Sequence, residues 1–196
     1  MEPLKVVVLA SGSGTLFQAL IDSQDSLGIT IRTLICDVAC PAINRAEVAG
    51  IPARIVALNG DRSEWDAQLR DAIVQASPDL VISAGFMRII GPATLEECEG
   101  RIINTHPALL PLFPGAHAVR DALASGATET GSTIHFVDAG MDTGDVIVQR
   151  VVDIKRDDTE ESLHERIKVV ERELLVETVR NIVAGDITIK KVHAHD

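Results

Sequence analysis

The first half of the chain alternates runs of β-branched residues with stretches of helical spacing, and this order constrains the fold more than any other feature. Residues 5–10 (KVVVLA) form a continuous apolar run, typical of a strand covered on both faces. Further strands are predicted at 30–36, 53–57, 80–83 and 101–105, and helices at 15–23, 42–49, 63–76 and 94–99. This βαβα order predicts an α/β fold with a mostly parallel, twisted sheet and helices on both faces, of Rossmann-like type.

The second half has a different pattern. A short helix is predicted at 116–124, and two strand-like runs at 132–137 and 145–152 flank a glycine-rich turn, which indicates an antiparallel addition to the sheet. Residues 159–184 then predict one long amphipathic helix, with Thr159 and Ser162 at its start and Gly185 at its end. Residues 187–192 are predicted as a terminal strand. Because no linker or repeat interrupts this order, we expect a single domain over residues 1–196.

Charge and cysteine content limit the function classes. Lys and Arg total 18 and Asp and Glu total 29, so the formal net charge is −11, which argues against a nucleic-acid partner. No apolar stretch is long enough to cross a bilayer, and a membrane partner is not expected. Cys36, Cys40 and Cys98 are interpreted as reduced thiols rather than metal ligands, which favours a cytoplasmic protein without a metal.

A glycine-rich turn, SGSGT at residues 11–15, joins the first predicted strand to the first helix. Gly12 and Gly14 permit a close backbone approach to an anion, and the helix N-terminus favours negative charge. The third glycine of a dinucleotide-binding motif is missing, because Phe17 stands there. From the turn alone, a phosphate site and a plain strand–helix connection are equally good interpretations.

Three polar residues follow strands where a ligand crevice is expected. Asn104 and His106 are separated by one residue at the end of the fifth predicted strand, so their side chains can lie on one face. Asp142 lies in a loop between the two strands of the second half. Each residue alone is more often structural, but an amide donor, a histidine and a carboxylate together indicate a catalytic group.

At this point the chain resembles the folate-dependent glycinamide ribonucleotide formyltransferases. The matching segments, in the order of that family, are SGSGT at 11–15, AGFMRII at 84–90, NTHPALLPLFPG at 104–115, HFVDAGMDTG at 135–144 and RIKVVERELL at 166–175. The resemblance implies the formyltransferase fold, with a nucleotide-binding half at about 1–100 and a folate-binding half with the long helix at about 101–196. It implies small-molecule substrates, with 10-formyltetrahydrofolate as co-substrate and no metal.

The resemblance also implies residue roles. The catalytic residues are Asn104, His106 and Asp142. Residues that bind the nucleotide substrate are Gly12, Ser13, Gly14, Thr15 and Leu16 for its phosphate and Glu171 for its glycinamide amine. Residues near the folate are Arg62, Met87, Arg88, Ile89, Ile90, Asp138, Ala139, Gly140 and Met141.

Two residues depart from the family pattern, and related activities stay open. Leu16 stands where Asn is frequent and Leu112 where Lys is frequent, so weaker or rearranged anion contacts are expected. We expect Asp142 to orient His106 and favour its charged form. The alternatives are formyltetrahydrofolate hydrolase and a formyltransferase with another amine acceptor; the chain length and acidity favour the small-nucleotide enzyme. The oligomeric state is open, with a homo-oligomer among the alternatives.

Overall fold

The structure is a computed structural model that describes residues 2–190. Within these residues the strands are β1 (Leu4–Ala10), β2 (Ile29–Cys36), β3 (Ala53–Ile55), β4 (Leu80–Ser83), β5 (Ile102–His106), β6 (Glu129–Phe136) and β7 (Val146–Asp153). The helices are α1 (Thr15–Leu27), α2 (Pro41–Val48), α3 (Arg62–Gln75), α4 (Pro92–Glu97), α5 (Ala118–Ala124) and α6 (Glu160–Ala184). All of the strands and helices predicted before residue 187 are confirmed, with small changes at their ends.

The strands form one sheet in the order β3-β2-β1-β4-β5-β6-β7. The first five strands are parallel, and β6 and β7 continue the sheet in antiparallel pairing. The strand order reverses between β1 and β4, where the connections leave towards opposite sides. A crevice opens at such a point, at the carboxyl ends of the strands, and ligands bind there in open α/β sheets. The predicted fold class is therefore confirmed.

Alternate residues of β1 pack into two separate cores, which explains its unbroken apolar sequence. Val6 and Val8 face a core shared with α1 and α6, whereas Val7 and Leu9 face a core built around Trp65 of α3. All four valine and leucine side chains are fully buried. Because both faces of the strand are covered, neither set of alternate positions can be polar.

Specific polar residues fix the helix ends near the crevice. The Thr159 side chain accepts a hydrogen bond from the Ser162 backbone N–H, the Ser162 hydroxyl accepts one from the Thr159 N–H, and α6 ends at Gly185, which has a φ of 85°. At the start of α4 the buried Asp66 carboxylate accepts three hydrogen bonds, from the Gly91 and Ala93 N–H groups and the Thr94 hydroxyl. The predicted limits of α6 are thereby confirmed.

The first helix and the chain end differ from their predictions. α1 continues to Leu27 instead of residue 23, because Gly28 with a φ of 68° provides the turn that ends it. Of the strand predicted at 187–192, residues 187–190 carry no strand, and residues 191 and 192 lie outside the described part of the chain.

Candidate active site

A cavity of about 540 Å³ opens at the carboxyl ends of β1, β4 and β5. Its walls come from the glycine turn, the segments after β4 and β5, the loop between β6 and β7, and one face of α6. Both halves of the sequence therefore contribute to it. Of the residues predicted for the site, all but Arg62 and Ala139 line this cavity.

The glycine turn presents the N-terminus of α1 to the cavity. Gly14 is the N-cap residue of α1, has a φ of 71° and supplies no side chain to bond the first N–H groups of the helix. These free N–H groups and the positive end of the helix dipole suit an anion. The Leu16 side chain packs into the core beneath the turn, so it cannot replace the contact that an Asn would offer. The weaker or rearranged anion contact expected at residue 16 stays a prediction.

A buried carboxylate ties the glycine turn to the segment after β4. Asp37 accepts hydrogen bonds from the Ser11 hydroxyl at 2.6 Å and from Nε of Arg88 at 2.7 Å. The Ser11 hydroxyl accepts a further bond from the Met87 N–H at 2.8 Å. Sequence reasoning missed Asp37, although its place directly after β2, at the same edge of the sheet, was a usable signal.

The three predicted catalytic residues lie together. His106 Nδ1 lies 3.5 Å from Asp142 Oδ2, and His106 Nε2 lies 2.8 Å from the carbonyl oxygen of Phe113, to which it donates. The Gly115 N–H donates to Asp142 Oδ2 at 2.8 Å. Asp142 has a φ of 56°, which lies in the left-handed region of backbone conformation. The loop between β6 and β7 and the end of β5 are thus joined around His106.

A second histidine, which sequence reasoning missed, completes this group. His135 of β6 pairs with Asn104 of β5, and its Nε2 lies 3.1 Å from Asn104 Nδ2 and 3.6 Å from Asp142 Oδ1. His135 Nδ1 donates to the Phe136 carbonyl at 2.8 Å, so Nε2 can accept from the Asn104 amide. The histidine therefore orients Asn104 and lies beside Asp142. Its presence in the HFVDAGMDTG segment was the signal available in the sequence.

The protonation of this group differs from the expectation. Burial lowers the pKa of His106 below its ordinary value, although the Phe113 carbonyl and Asp142 act in the opposite direction. Asp142 does favour the charged form of His106, as expected, but burial has the larger effect, and the pKa is lowered on balance. The pKa of Asp142 is lowered, chiefly by the neighbouring His135 and also by the Gly115 N–H and His106. At neutral pH an ionised Asp142 faces a largely neutral His106.

One face of α6 closes the cavity with ionisable residues. Glu171 is 5% exposed, and burial raises its pKa to about 7, although the nearby Lys168 and Arg172 favour its charged form. His164, Lys168 and Glu171 line the cavity together, at helical spacing. Glu171 was predicted at the edge of the buried face, and the structure places it within that face. His164 and Lys168 were missed, although their spacing from Glu171 was readable in the sequence.

Most of the residues predicted for the folate line the cavity, and three of them are exposed at its mouth. Met87, Ile89 and Met141 expose more than half of their surface there, whereas Ile90 is buried. Asp138 accepts hydrogen bonds from the Gly140 N–H and the Thr143 hydroxyl, and so shapes the loop. Arg62 lies outside the cavity lining and donates to the Ile89 carbonyl at 2.6 Å. The roles of these residues stay predictions.

Among residues 2–190 no group of three or more His, Cys, Asp or Glu side chains is placed to hold a metal ion. No helix there combines the length and the apolar character that a bilayer crossing requires.

Comparisons with known proteins agree on one family. A family model described as formyl transferase matches residues 4–179. Phosphoribosylglycinamide formyltransferase of Mycobacterium tuberculosis is 46% identical over 190 residues, which cover 95% of this chain and 88% of that protein. Glycinamide ribonucleotide transformylase 1 of Symbiobacterium toebii superposes with a TM-score of 0.92 at 35% identity, covering 97% of this chain and 92% of that one.

A related activity also occurs among the structural neighbours. A formyltetrahydrofolate deformylase of Pseudomonas syringae superposes with a TM-score of 0.89 at 25% identity, covering 97% of this chain and 64% of that one. The family resemblance seen in the sequence is confirmed by the match over residues 4–179 and by the 46% identity to the mycobacterial enzyme. This chain belongs to the formyl transferase family.

Proposed function

We propose that the chain transfers a formyl group from 10-formyltetrahydrofolate to the amine of 5'-phosphoribosylglycinamide, a step of purine biosynthesis. The observation that carries the proposal is the buried Glu171 carboxylate, which lies in the same cavity as the glycine turn and the Asn104–His106–Asp142 group. A substrate that carries a phosphate and an ammonium group matches this pair of sites, with the phosphate at the glycine turn and the ammonium at Glu171. The names of the relatives described above agree with it.

The glycine turn is suited to the phosphate of the nucleotide. The free N–H groups at the start of α1 supply donors, and the helix dipole supplies favourable potential. A chain with a net charge of −11 therefore still offers a local site for one anion.

Glu171 is suited to the glycinamide ammonium. A carboxylate that is 5% exposed and has a raised pKa gains more from a cationic partner than an exposed carboxylate does. An ammonium bound beside Glu171 favours the ionised carboxylate and fixes the amine near His106. The amine loses one proton to water before it attacks.

The reaction is an acyl transfer in which the amine itself is the nucleophile. Its nitrogen lone pair attacks the formyl carbon, a tetrahedral oxyanion forms, and the bond from that carbon to N10 of the folate then breaks. The Asn104 amide supplies a donor for the oxyanion. His106, largely neutral at pH 7, accepts one of the two protons left on the attacking nitrogen, beside the ionised Asp142, and passes it to N10, while the other proton stays on the formamide nitrogen.

We place the folate at the mouth of the cavity. The exposed apolar side chains of Met87, Ile89 and Met141 offer a surface for its flat ring. The family implies a folate co-substrate, and the reaction requires its formyl group, carried on N10, to face the amine of the nucleotide. We place the enzyme in the cytoplasm, because all three of its cysteines are free thiols.

Hydrolysis of the same formyl-folate is the second candidate, since a formyltetrahydrofolate deformylase shares the fold. Water as the acceptor has no need of a phosphate site or of a buried carboxylate for an ammonium. Purified protein is mixed with 10-formyltetrahydrofolate, with and without glycinamide ribonucleotide, and both formylated nucleotide and free formate are quantified. Formylated nucleotide in equal amount to the folate consumed supports the proposal. Formate release that is independent of the nucleotide contradicts it.

A further inference from the structure

Two cysteines lie in contact beneath the glycine turn. Cys36 is the last residue of β2, and Cys40 is the N-cap residue of α2. Their Sγ atoms are 3.5 Å apart, Cys36 is buried, and Cys40 is half-buried. Neither residue lines the cavity. The proposed formyl transfer makes no use of these two neighbouring thiols.

The segment between the two cysteines supports the anion site. Asp37, which directly follows Cys36, holds Ser11 and Arg88 as described above. The helix that follows Cys40 contacts the turn in two ways: the Ala42 N–H donates to the Gly12 carbonyl at 3.2 Å, and Arg45 Nε donates to the Ser13 carbonyl at 2.7 Å.

The packing against the turn leaves little free space. A Cβ atom built on Gly14 would lie only 2.7 Å from the Ala42 Cβ. A shift at the start of α2 therefore displaces the turn.

We propose that Cys36 and Cys40 are a modification site at which a reversible disulfide forms and weakens the binding of a phosphorylated substrate at the glycine turn. The identity of that substrate rests on the proposed function. The site takes low-molecular-weight disulfides as its oxidants. Cys98 lies in the other core, beside α3 and α4, and takes no part.

The chemistry is thiol–disulfide exchange in two steps. The more accessible Cys40 thiolate attacks one sulfur of the small disulfide and releases one small thiolate, which gives a mixed disulfide. The Cys36 sulfur then attacks the Cys40 sulfur, and the second small thiolate leaves with the Cys36 proton. Overall two protein thiols are oxidised and one small disulfide is reduced to two thiols. Burial raises the pKa of Cys36 to about 12, so the second step is the slow one.

The consequence for the turn follows from the geometry of the bond. A disulfide requires the sulfur atoms to approach to about 2.05 Å, and the three residues between the cysteines must adjust. Asp37 is one of these three, and Cys40 begins the helix that packs on Gly12 and Gly14. Formation of the disulfide therefore displaces the Asp37 carboxylate, which holds Ser11. It also displaces the N-terminus of α2, which packs against the glycine turn.

The modification is tested with oxidised glutathione as the probe. The intact enzyme is incubated with it, alkylated and digested with trypsin, which releases residues 33–45 as one peptide containing both cysteines. We expect this peptide to lose the mass of two hydrogens and to regain it after reduction. Cys98→Ser should behave like the parent, and Cys40→Ser should not form the bond. Cysteines that stay reduced, or a reaction that stops at a glutathione adduct, overturn the proposal.

The effect on binding is measured by isothermal titration of reduced and oxidised enzyme. We expect the dissociation constant for glycinamide ribonucleotide to rise about tenfold on oxidation in the parent and in Cys98→Ser, and to stay constant in Cys40→Ser. Equal affinity of the oxidised and reduced parent overturns the proposal. If the reduced parent fails to bind the nucleotide, the proposed function fails instead. Inorganic phosphate then serves as the probe of the turn, and phosphate affinity that is unchanged by oxidation overturns the inference.

Discussion

Replacing Glu171 by Gln should make the enzyme more stable and less able to bind its nucleotide. Glu171 lies on α6 among buried apolar residues, and none of the described residues gives its carboxylate a hydrogen bond or an ion pair. Its ionisation in the folded state is therefore costly unless a cationic ligand is bound. Gln keeps the size of the side chain and removes the charge.

The pKa of Glu171 gives the size of the expected change in the free energy of unfolding. A rise from the ordinary value of 4.5 to about 7 corresponds to about 3 kcal/mol between the two protonation states. Because the folded state holds the proton more tightly, the parent loses stability as the pH rises from 4.5 to about 7 and stays at the lower level above that. The variant should therefore match the parent near pH 4.5 and exceed its free energy of unfolding by about 3 kcal/mol at pH 8.

Urea unfolding followed by circular dichroism at pH 4.5, 6 and 8 measures this difference. Glu173→Gln is the matched control, since Glu173 is exposed on the same helix and pairs with Arg150. It should change the free energy of unfolding by less than about 1 kcal/mol at every pH. Addition of glycinamide ribonucleotide should stabilise the parent more than Glu171→Gln. A Glu171→Gln protein that is equally or less stable than the parent at pH 8 would show that the charged Glu171 does not destabilise the fold.

Three further predictions follow from the same structure. Gly14→Val should raise the dissociation constant for the nucleotide far more than that for the folate, and equal effects in separate titrations would count against the phosphate site. Asp66→Ala removes the acceptor of three hydrogen bonds at the start of α4 and should lower the free energy of unfolding by about 3 kcal/mol, so a loss below about 0.5 kcal/mol in urea titration would contradict this role. Asp142→Asn should lower the pKa of His106 further, because the carboxylate charge raises it, and an unchanged or higher value in an NMR titration would show otherwise.

The order of strands and helices was readable because its signals are local. A continuous run such as the first strand is covered on both faces wherever it lies in the chain, and glycines end helices by their own backbone freedom. The cavity-lining segments followed from the same order, since parallel strands present their carboxyl ends at one edge. The strands, the helices and the cavity-lining segments can therefore be predicted without knowing which residues distant in sequence are in contact.

The residues missed are those whose role depends on distant neighbours. His135 contacts Asn104 only because β6 pairs with β5 in a particular register, and the sequence does not encode that register locally. The burial of Glu171 depends on how closely α6 packs on the sheet. Helical periodicity gives only the angle of a residue around the helix axis, and it therefore placed Glu171 at the edge of the buried face. The pKa of His106 was misjudged for the same reason: the attraction of Asp142 was foreseen, but the degree of burial was not.

If His106 performs proton transfer during formyl transfer in this cavity, as we propose, its removal should slow a single turnover of the enzyme. Enzyme in excess over 10-formyltetrahydrofolate is mixed with saturating glycinamide ribonucleotide, and the formylated nucleotide is followed over time. His106→Ala should be slower than the parent by about a hundredfold to ten-thousandfold, with its fold and its affinity for both substrates retained. His117→Ala, a change at an exposed histidine, should keep the parent rate. A folded His106→Ala protein that binds both substrates and transfers the formyl group at the parent rate would contradict a role of His106 in proton transfer.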